Sequence, residues 1–331
     1  MAETLPIIDM SAAVAGEPGA YGRLAEAVGA AARGVGFFYL AGHGIDPRLI
    51  EAVFAGAAAL FALPAAEKER YSIRRSPHNR GYVALEGESL DPGKAADLKE
   101  AFNIGLDLAP DDPRVVAGEP FRGVNLWPDL PGWRETMLAY FDAAWRVGRQ
   151  LHRAVARDVG LDEDYFEDKL DQPMATLRLL HYPPQPARVA PGQIGAGEHT
   201  DYGDITLLLT DSVGGLEVKR RDGGWIAAPP MPGTFVCNIG DCLMRWTNDV
   251  YASTPHRVVN ASGRERYSVA FFLDPNPDAE IACLPTCVSA ARPARYPPVS
   301  GAAYLAGRLG RTYDFLAAPK PAAPAGTGRA P

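Results

Sequence analysis

No stretch of this chain approaches the run of about 18 apolar residues that a membrane-spanning helix requires. The first residues, MAETLPIIDM, lack the basic head and apolar middle of a secretory signal. Positive charge is not in excess either: 33 Lys and Arg stand against 40 Asp and Glu, a formal net charge of -7. With that balance, and no basic or aromatic groove in the pattern, neither nucleic acid nor a membrane surface is expected as a partner. Cysteine is scarce, at 4 in 331 residues. Cys237 and Cys242, then Cys283 and Cys287, have spacings a zinc site could use. Cys237, however, lies in the apolar run GTFVCNIG, where a thiol packs as a small hydrophobe. Disulfides are not expected in a reducing compartment. These absences leave a soluble, cytoplasmic protein, read as a monomer whose partner is a small molecule.

What the chain does have is apolar sequence, 47% of the total, enough to bury a sizeable core. Residues 1–130 form an N-terminal region that is mainly helical. YGRLAEAVGAAARGVG and DPRLIEAVFAGAAALFAL carry apolar residues at helical spacing, and Asp46-Pro47 supplies a cap and a first-turn proline. Between them GFFYLAGHGI reads as a strand, with His43 as a structural residue at its end. Ser76 to Ala96 is rich in Gly, Pro and charge and reads as a surface loop or hairpin, followed by a strand in LKEAFNIGLDL. A long helix and connector fill 131–173. Met137, Phe141, Ala144, Gly148, Leu151 and Val155 make its apolar stripe, with His152 packing inside it.

From residue 174 to 290 short β-branched and aromatic runs alternate with turns: MATLRLLHYPP, DITLLLTD, GGLEVKR, GWIAAPP, GTFVCNIGD, HRVVN and RYSVAFFLDP. Asp222-Gly223 in RRDGGW offers positive backbone dihedrals for a hairpin. Seven strands at this spacing predict an antiparallel sandwich or barrel, a jelly roll by preference. A C-terminal helix over 291–317 and a disordered tail over 318–331 complete the chain. The fold class is α+β: a jelly-roll core, or double-stranded β-helix, flanked by helices.

His199 and Asp201 stand two apart in GEHTDYGDITLLLTD, on one face if they share a strand. Of the six histidines, His256 opens a strand within the β region and is the economical third ligand. Two imidazoles and one carboxylate suit non-haem Fe(II), with open positions opposite, and also suit hydrolytic zinc. Further on, Arg266 and Ser268 share a strand face. A guanidinium inside a barrel is costly unless it meets an anion, and its planar fork beside a hydroxyl fits a carboxylate. A metal triad beside an anion socket points to a dicarboxylate co-substrate of the shape of 2-oxoglutarate.

Those residues, with LPIIDM, GFFYLAGHGI, NIGDCLMRWTND and STPHRV, resemble the isopenicillin N synthase-like branch of the 2-oxoglutarate/Fe(II)-dependent dioxygenases. The resemblance implies Fe(II) held by His199, Asp201 and His256, and 2-oxoglutarate held by Arg266, Ser268 and Tyr182. It also implies O2 as oxidant, stimulation by ascorbate, and release of succinate and CO2 as a substrate C–H bond is hydroxylated or desaturated. Many plant relatives have asparagine where this chain has Leu180, so one polar co-substrate contact is missing. Because isopenicillin N synthase uses the same Arg-x-Ser pair for its substrate, an oxidase of that kind, or an ethylene-forming one, is the alternative. Candidate substrate residues are Phe272, further along the Arg266 face, Tyr202 beside the metal aspartate, and Arg178 on the Tyr182 strand. Arg80, Tyr82, Glu86 and Glu88 join them as residues of a possible lid.

Overall fold

The computed structural model describes residues 4–88, 96–184, 193–260 and 262–312. The tail 318–331, the last part of the helix expected over 291–317, and residues 89–95 of the early Gly-rich segment lie outside them.

Strands run in chain order β1 (Ile7–Asp9), β2 (Phe37–Ala41), β3 (Gly81–Val83), β4 (Glu100–Gly105), β5 (Thr176–Tyr182), β6 (Ala196–His199), β7 (Ile205–Thr210), β8 (Leu216–Lys219), β9 (Trp225–Ala228), β10 (Phe235–Ile239), β11 (His256–Val258), β12 (Arg266–Leu273), β13 (Glu280–Ile281) and β14 (Val299–Ser300). A large sheet has the order β1-β2-β10-β7-β12-β5-β4-β3, and a smaller one the order β6-β11-β8-β9. Most strands next to each other in these orders are far apart in the chain, and the core pairs β10–β7, β7–β12 and β12–β5 are antiparallel, whereas β1–β2 is parallel. This is the jelly roll expected from the sequence, and each of the runs read as strands forms one.

Alternation along the strands divides the core in two. On β5, Leu177 and Leu179 face the helices while Leu180 and Tyr182 join the interior cluster between the sheets; on β12, Val269, Phe271 and Leu273 face out and Ala270 faces in. The large sheet is therefore apolar on its outer face, and that face is covered by the long helix Trp133–Asp158. Every residue of the expected stripe is buried. Gly148 leaves room there for Leu273, whose Cδ2 would lie 2.6 Å from an added Cβ and would have to move. His152 packs in the same layer, its Nδ1 donating to the Gly148 carbonyl at 2.9 Å. Asp46 caps the helix Pro47–Phe61 by accepting from the Arg48 amide at 2.9 Å, as its place before proline implied.

Three local expectations are corrected. In the β8–β9 turn only Gly223 takes a positive φ, +89°; Asp222 acts through its carboxylate, which accepts from the Gly224 amide at 3.0 Å. The C-terminal helix begins at Gly301, not near 291, because Val299 and Ser300 after the Pro297-Pro298 pair are used as β14. The segment after Ser76 is not a surface loop throughout: β3 within it is a buried edge strand paired with β4. Among the described residues no helix is long and apolar enough to cross a membrane.

Candidate active site

His199 ends β6 and His256 begins β11, and the two are cross-strand partners. Their ring centroids lie 4.3 Å apart. The His199 Nδ1 donates to the Gly197 carbonyl at 2.7 Å and the His256 Nδ1 to the Thr254 carbonyl at 3.2 Å. Each bond fixes the tautomer and leaves the Nε2 lone pair free. Those two Nε2 atoms lie 3.8 and 3.6 Å from the Asp201 Oδ1. One ligand atom from each residue falls within 4.8 Å of the others, the only such group of three metal-binding side chains among the described residues. The cysteines form no such group; all four are free thiols, and burial pushes Cys237 well above the usual thiol range.

Asp201 is not on the strand with His199, as its spacing suggested, because β6 stops at His199. The loop that carries it is held against the end of β10 instead. The Asp241 amide donates to the Asp201 carbonyl at 2.8 Å, and the Gly240 amide to the Asp204 carbonyl at 2.8 Å. A Cβ on Gly240 would lie 2.2 Å from the Gly203 oxygen, so only glycine allows this approach. The Asp201 Oδ2 accepts from the Thr206 hydroxyl at 2.6 Å and the Asn238 amide at 2.7 Å, which turns Oδ1 toward the histidines. Thr206 and Asn238 are register partners on β7 and β10. The sequence reading missed both; a polar residue alternating inward on an otherwise apolar strand was the signal that could have shown them.

Electrostatics favour a cation here. Burial, reinforced by His256, lowers the His199 pKa to about 3, so its imidazole is neutral at physiological pH. Burial opposes ionisation of Asp201, but the two histidines, Thr206 and Asn238 together hold its carboxyl below the ordinary range. The site thus offers two imidazole nitrogens and one carboxylate oxygen.

The same cavity, about 150 Å³, is lined by Arg266, Ser268 and Tyr182. Arg266 is fully buried, yet no carboxylate pairs with it among the described residues. Its Nε donates to the Gly214 carbonyl at 2.7 Å and its Nη1 to the Ser268 hydroxyl at 3.3 Å, while Nη2 has no partner among the described residues. The guanidinium sits 4.5 Å over the Tyr182 ring. A desolvated cation with an unused N–H, beside a hydroxyl, fits a carboxylate. The donor set therefore fits both Fe(II) and a diacid.

Of the substrate candidates, Phe272, Tyr202, Arg178 and Glu88 line the cavity; Arg80, Tyr82 and Glu86 do not. Register explains the difference. Tyr82 pairs with Phe102, on the helix-facing side of β4, and its hydroxyl donates to Glu100. Arg80 is sealed under Gly105, where a Cβ would meet its guanidinium carbon at 1.8 Å. Glu86 is exposed and accepts from Gln193 at 3.0 Å. Arg178 and Glu88 form an ion pair at 2.6 Å. Asp274 also lines the space, as alternation from Arg266 through Phe272 implies; Asn79, Asn103, Lys99, Leu305 and Leu309 do so too and were not foreseen.

Asp274 has a consequence for stability. Burial, then the nearby Asp204 and Asp201, push its carboxyl up to about 8. A proton held more tightly in the fold stabilises it fully below the unfolded value of 3.8, progressively less as pH rises, and not at all above about 8. Iron-free protein is expected to lose thermal stability through that window, and Asp274→Asn, which mimics the protonated acid, to lose less. Calorimetry showing the same pH slope for both proteins would remove this assignment.

Comparison with known proteins gives consistent matches. Residues 5–130 match the family described as non-haem dioxygenase in morphine synthesis N-terminal, and residues 173–275 match the 2OG-Fe(II) oxygenase superfamily. The 2-oxoglutarate-Fe(II) type oxidoreductase hxnY of Emericella nidulans is 37% identical over 314 residues, covering 93% of this chain and 90% of the relative. The structure of a full-length Neurospora crassa protein in complex with alpha-KG and thymine superposes with a TM-score of 0.82 at 36% identity, over 93% of this chain and 96% of that one. A 2OG-Fe(II) oxygenase family protein from Caulobacter crescentus gives 0.81 at 35% identity, over 93% and 98%.

Proposed function

The chain belongs to the 2-oxoglutarate/Fe(II)-dependent oxygenases, and from that premise we propose the role of each residue in its cavity and the class of its substrate. The enzyme oxidises a small molecule with O2, using Fe(II) and 2-oxoglutarate and releasing succinate and CO2. Ascorbate stimulation is typical of such enzymes.

In the proposed arrangement His199, Asp201 and His256 hold the iron. Arg266, Ser268 and Tyr182 hold the far carboxylate of 2-oxoglutarate. Iron and 2-oxoglutarate together supply the oxidising power when bound; the chain supplies orientation and exclusion of water. The observation that carries this reading is the meeting, in one buried cavity, of three ligand atoms with a guanidinium whose Nη2 has no partner among the described residues. The resemblance to 2-oxoglutarate-Fe(II) oxidoreductases, one of them solved with alpha-KG bound, favours the 2-oxoglutarate reading over an oxidase without a diacid co-substrate.

The lining beyond the metal supports a small, neutral, planar ring compound with an amide-like edge. Phe272, Tyr202, Leu305 and Leu309 provide apolar and aromatic surface. The Arg178 charge is balanced by Glu88, so an ionic substrate gains little from it. Asn103 donates to Asn79 at 3.0 Å and keeps a buried oxygen with no partner among the described residues, an acceptor suited to a ring N–H. The thymine complex of the Neurospora crassa protein, at 36% identity, is consistent with that class.

The test is a turnover screen with Fe(II), ascorbate and 2-oxoglutarate, following succinate formed per substrate consumed. Pyrimidine-like lactams are expected to give succinate and oxidised product in equal amounts, and chelation to stop both until Fe(II) is restored. Coupled turnover by charged amino acids or bulky polycyclic compounds, with none from ring lactams, would overturn the substrate class.

A further inference from the structure

Leu180 leaves an apolar gap in the co-substrate lining, and the neighbouring strand shows what faces it. β4 pairs with β5 so that Ala101 lies opposite Leu180 and Glu100 opposite His181. One step further, Lys99 falls opposite Tyr182 and, by the two-residue alternation, on the cavity side. Lys99 does line the cavity and is only 4% exposed. Its ammonium donates to Asp97 and lies 3.3 Å from the Glu88 Oε2. An ammonium carries three N–H donors, and these two contacts can engage at most two. The third has no partner among the described residues.

The lining of the cavity places that donor near the co-substrate. Tyr182, a residue of the proposed socket and on this register opposite Lys99, lines the same cavity. His199, a residue of the proposed metal site, lines that cavity as well. Burial alone would favour the neutral amine, but Glu88 and Asp97 more than offset it, and Lys99 stays charged. The four charges of the group balance, Lys99 and Arg178 against Glu88 and Asp97, so the cation is held in place without being consumed by a single tight pair.

We propose that Lys99 is a co-substrate-binding residue whose third N–H donates to a carboxylate oxygen of 2-oxoglutarate, replacing from β4 the polar contact that Leu180 on β5 cannot make. The inference rests on the reading of Arg266, Ser268 and Tyr182 as the 2-oxoglutarate socket.

The test measures binding without turnover. The Fe(II) protein is titrated with 2-oxoglutarate under anaerobic conditions, and the charge-transfer absorption of the complex gives Kd. The variant is Lys99→Met with Asp97→Asn, which removes one charge of each sign and leaves the Arg178–Glu88 pair. The asparagine carbonyl can still accept the Gly197 amide, now bound at 2.9 Å. Loss of a charge-assisted hydrogen bond is expected to raise Kd about tenfold or more, with iron content unchanged. Lys99→Gln with Asp97→Asn keeps a polar side chain there and guards against a variant that fails to fold; the same weakening is expected. Wild-type Kd in either folded variant overturns the proposal. Arg266→Ala is run alongside: if it also binds as wild type, the socket reading itself is wrong, whereas if it alone is weakened only the role of Lys99 falls.

Discussion

Replacing Asp201 with alanine is expected to leave a folded chain that neither retains iron nor turns over. Asp201 contributes the only carboxylate of the triad, and its Oδ1 is the atom both Nε2 groups face, at 3.8 and 3.6 Å. The remaining imidazoles have no negative charge with which to offset a divalent cation. Even the loss of a group that merely orients a metal ligand costs about 10–100-fold in affinity or activity, and loss of the ligand itself should exceed that. The alanine also strands Thr206 and Asn238, whose hydrogen bonds now end on the Asp201 Oδ2. Circular dichroism guards against simple unfolding. Metal analysis then decides: near-stoichiometric iron in the alanine variant, with activity, would exclude Asp201 as a ligand.

Arg266→Ala should have the next largest effect, and of a different kind. Iron retention is expected to persist, because Arg266 touches none of the three proposed ligands. The apparent 2-oxoglutarate requirement should rise by about a hundredfold or more, the cost of losing a desolvated, charge-assisted carboxylate contact. Arg266 is anchored for that contact by the Gly214 carbonyl and the Ser268 hydroxyl, and backed by the Tyr182 ring. These groups hold it in place yet leave its Nη2 open. Succinate formation measured across co-substrate concentrations provides the check. A saturation curve matching wild type would place the far carboxylate elsewhere.

The contrast between these two residues shows where sequence was informative. Alternation gave the face of β12 directly, because Arg266, Ser268 and Phe272 obey a period of two in an unbroken strand. The same rule reached the correct neighbourhood for Asp201 for an incomplete reason: the strand ends at His199, and contacts with the Thr206 and Asn238 side chains and the Asp241 amide set the carboxylate. Parity also explains the early segment. Without the β3–β4 register there was no way to know that Tyr82 turns toward the helices while Asn103 turns inward. Buried charge was the hardest to read, since Lys99 and Glu88 have the composition of a solvated surface. Only the fold brings Arg178, Glu88, Lys99 and Asp97 together and neutralises them away from water.

The most direct test of the metal site is anomalous diffraction at the iron absorption edge, from crystals grown without oxygen in Fe(II) and 2-oxoglutarate. One peak is expected between the His199 Nε2, the Asp201 Oδ1 and the His256 Nε2, with the far carboxylate of the diacid on Arg266. A peak elsewhere in the chain, or none in protein that is catalytically active, would contradict the account.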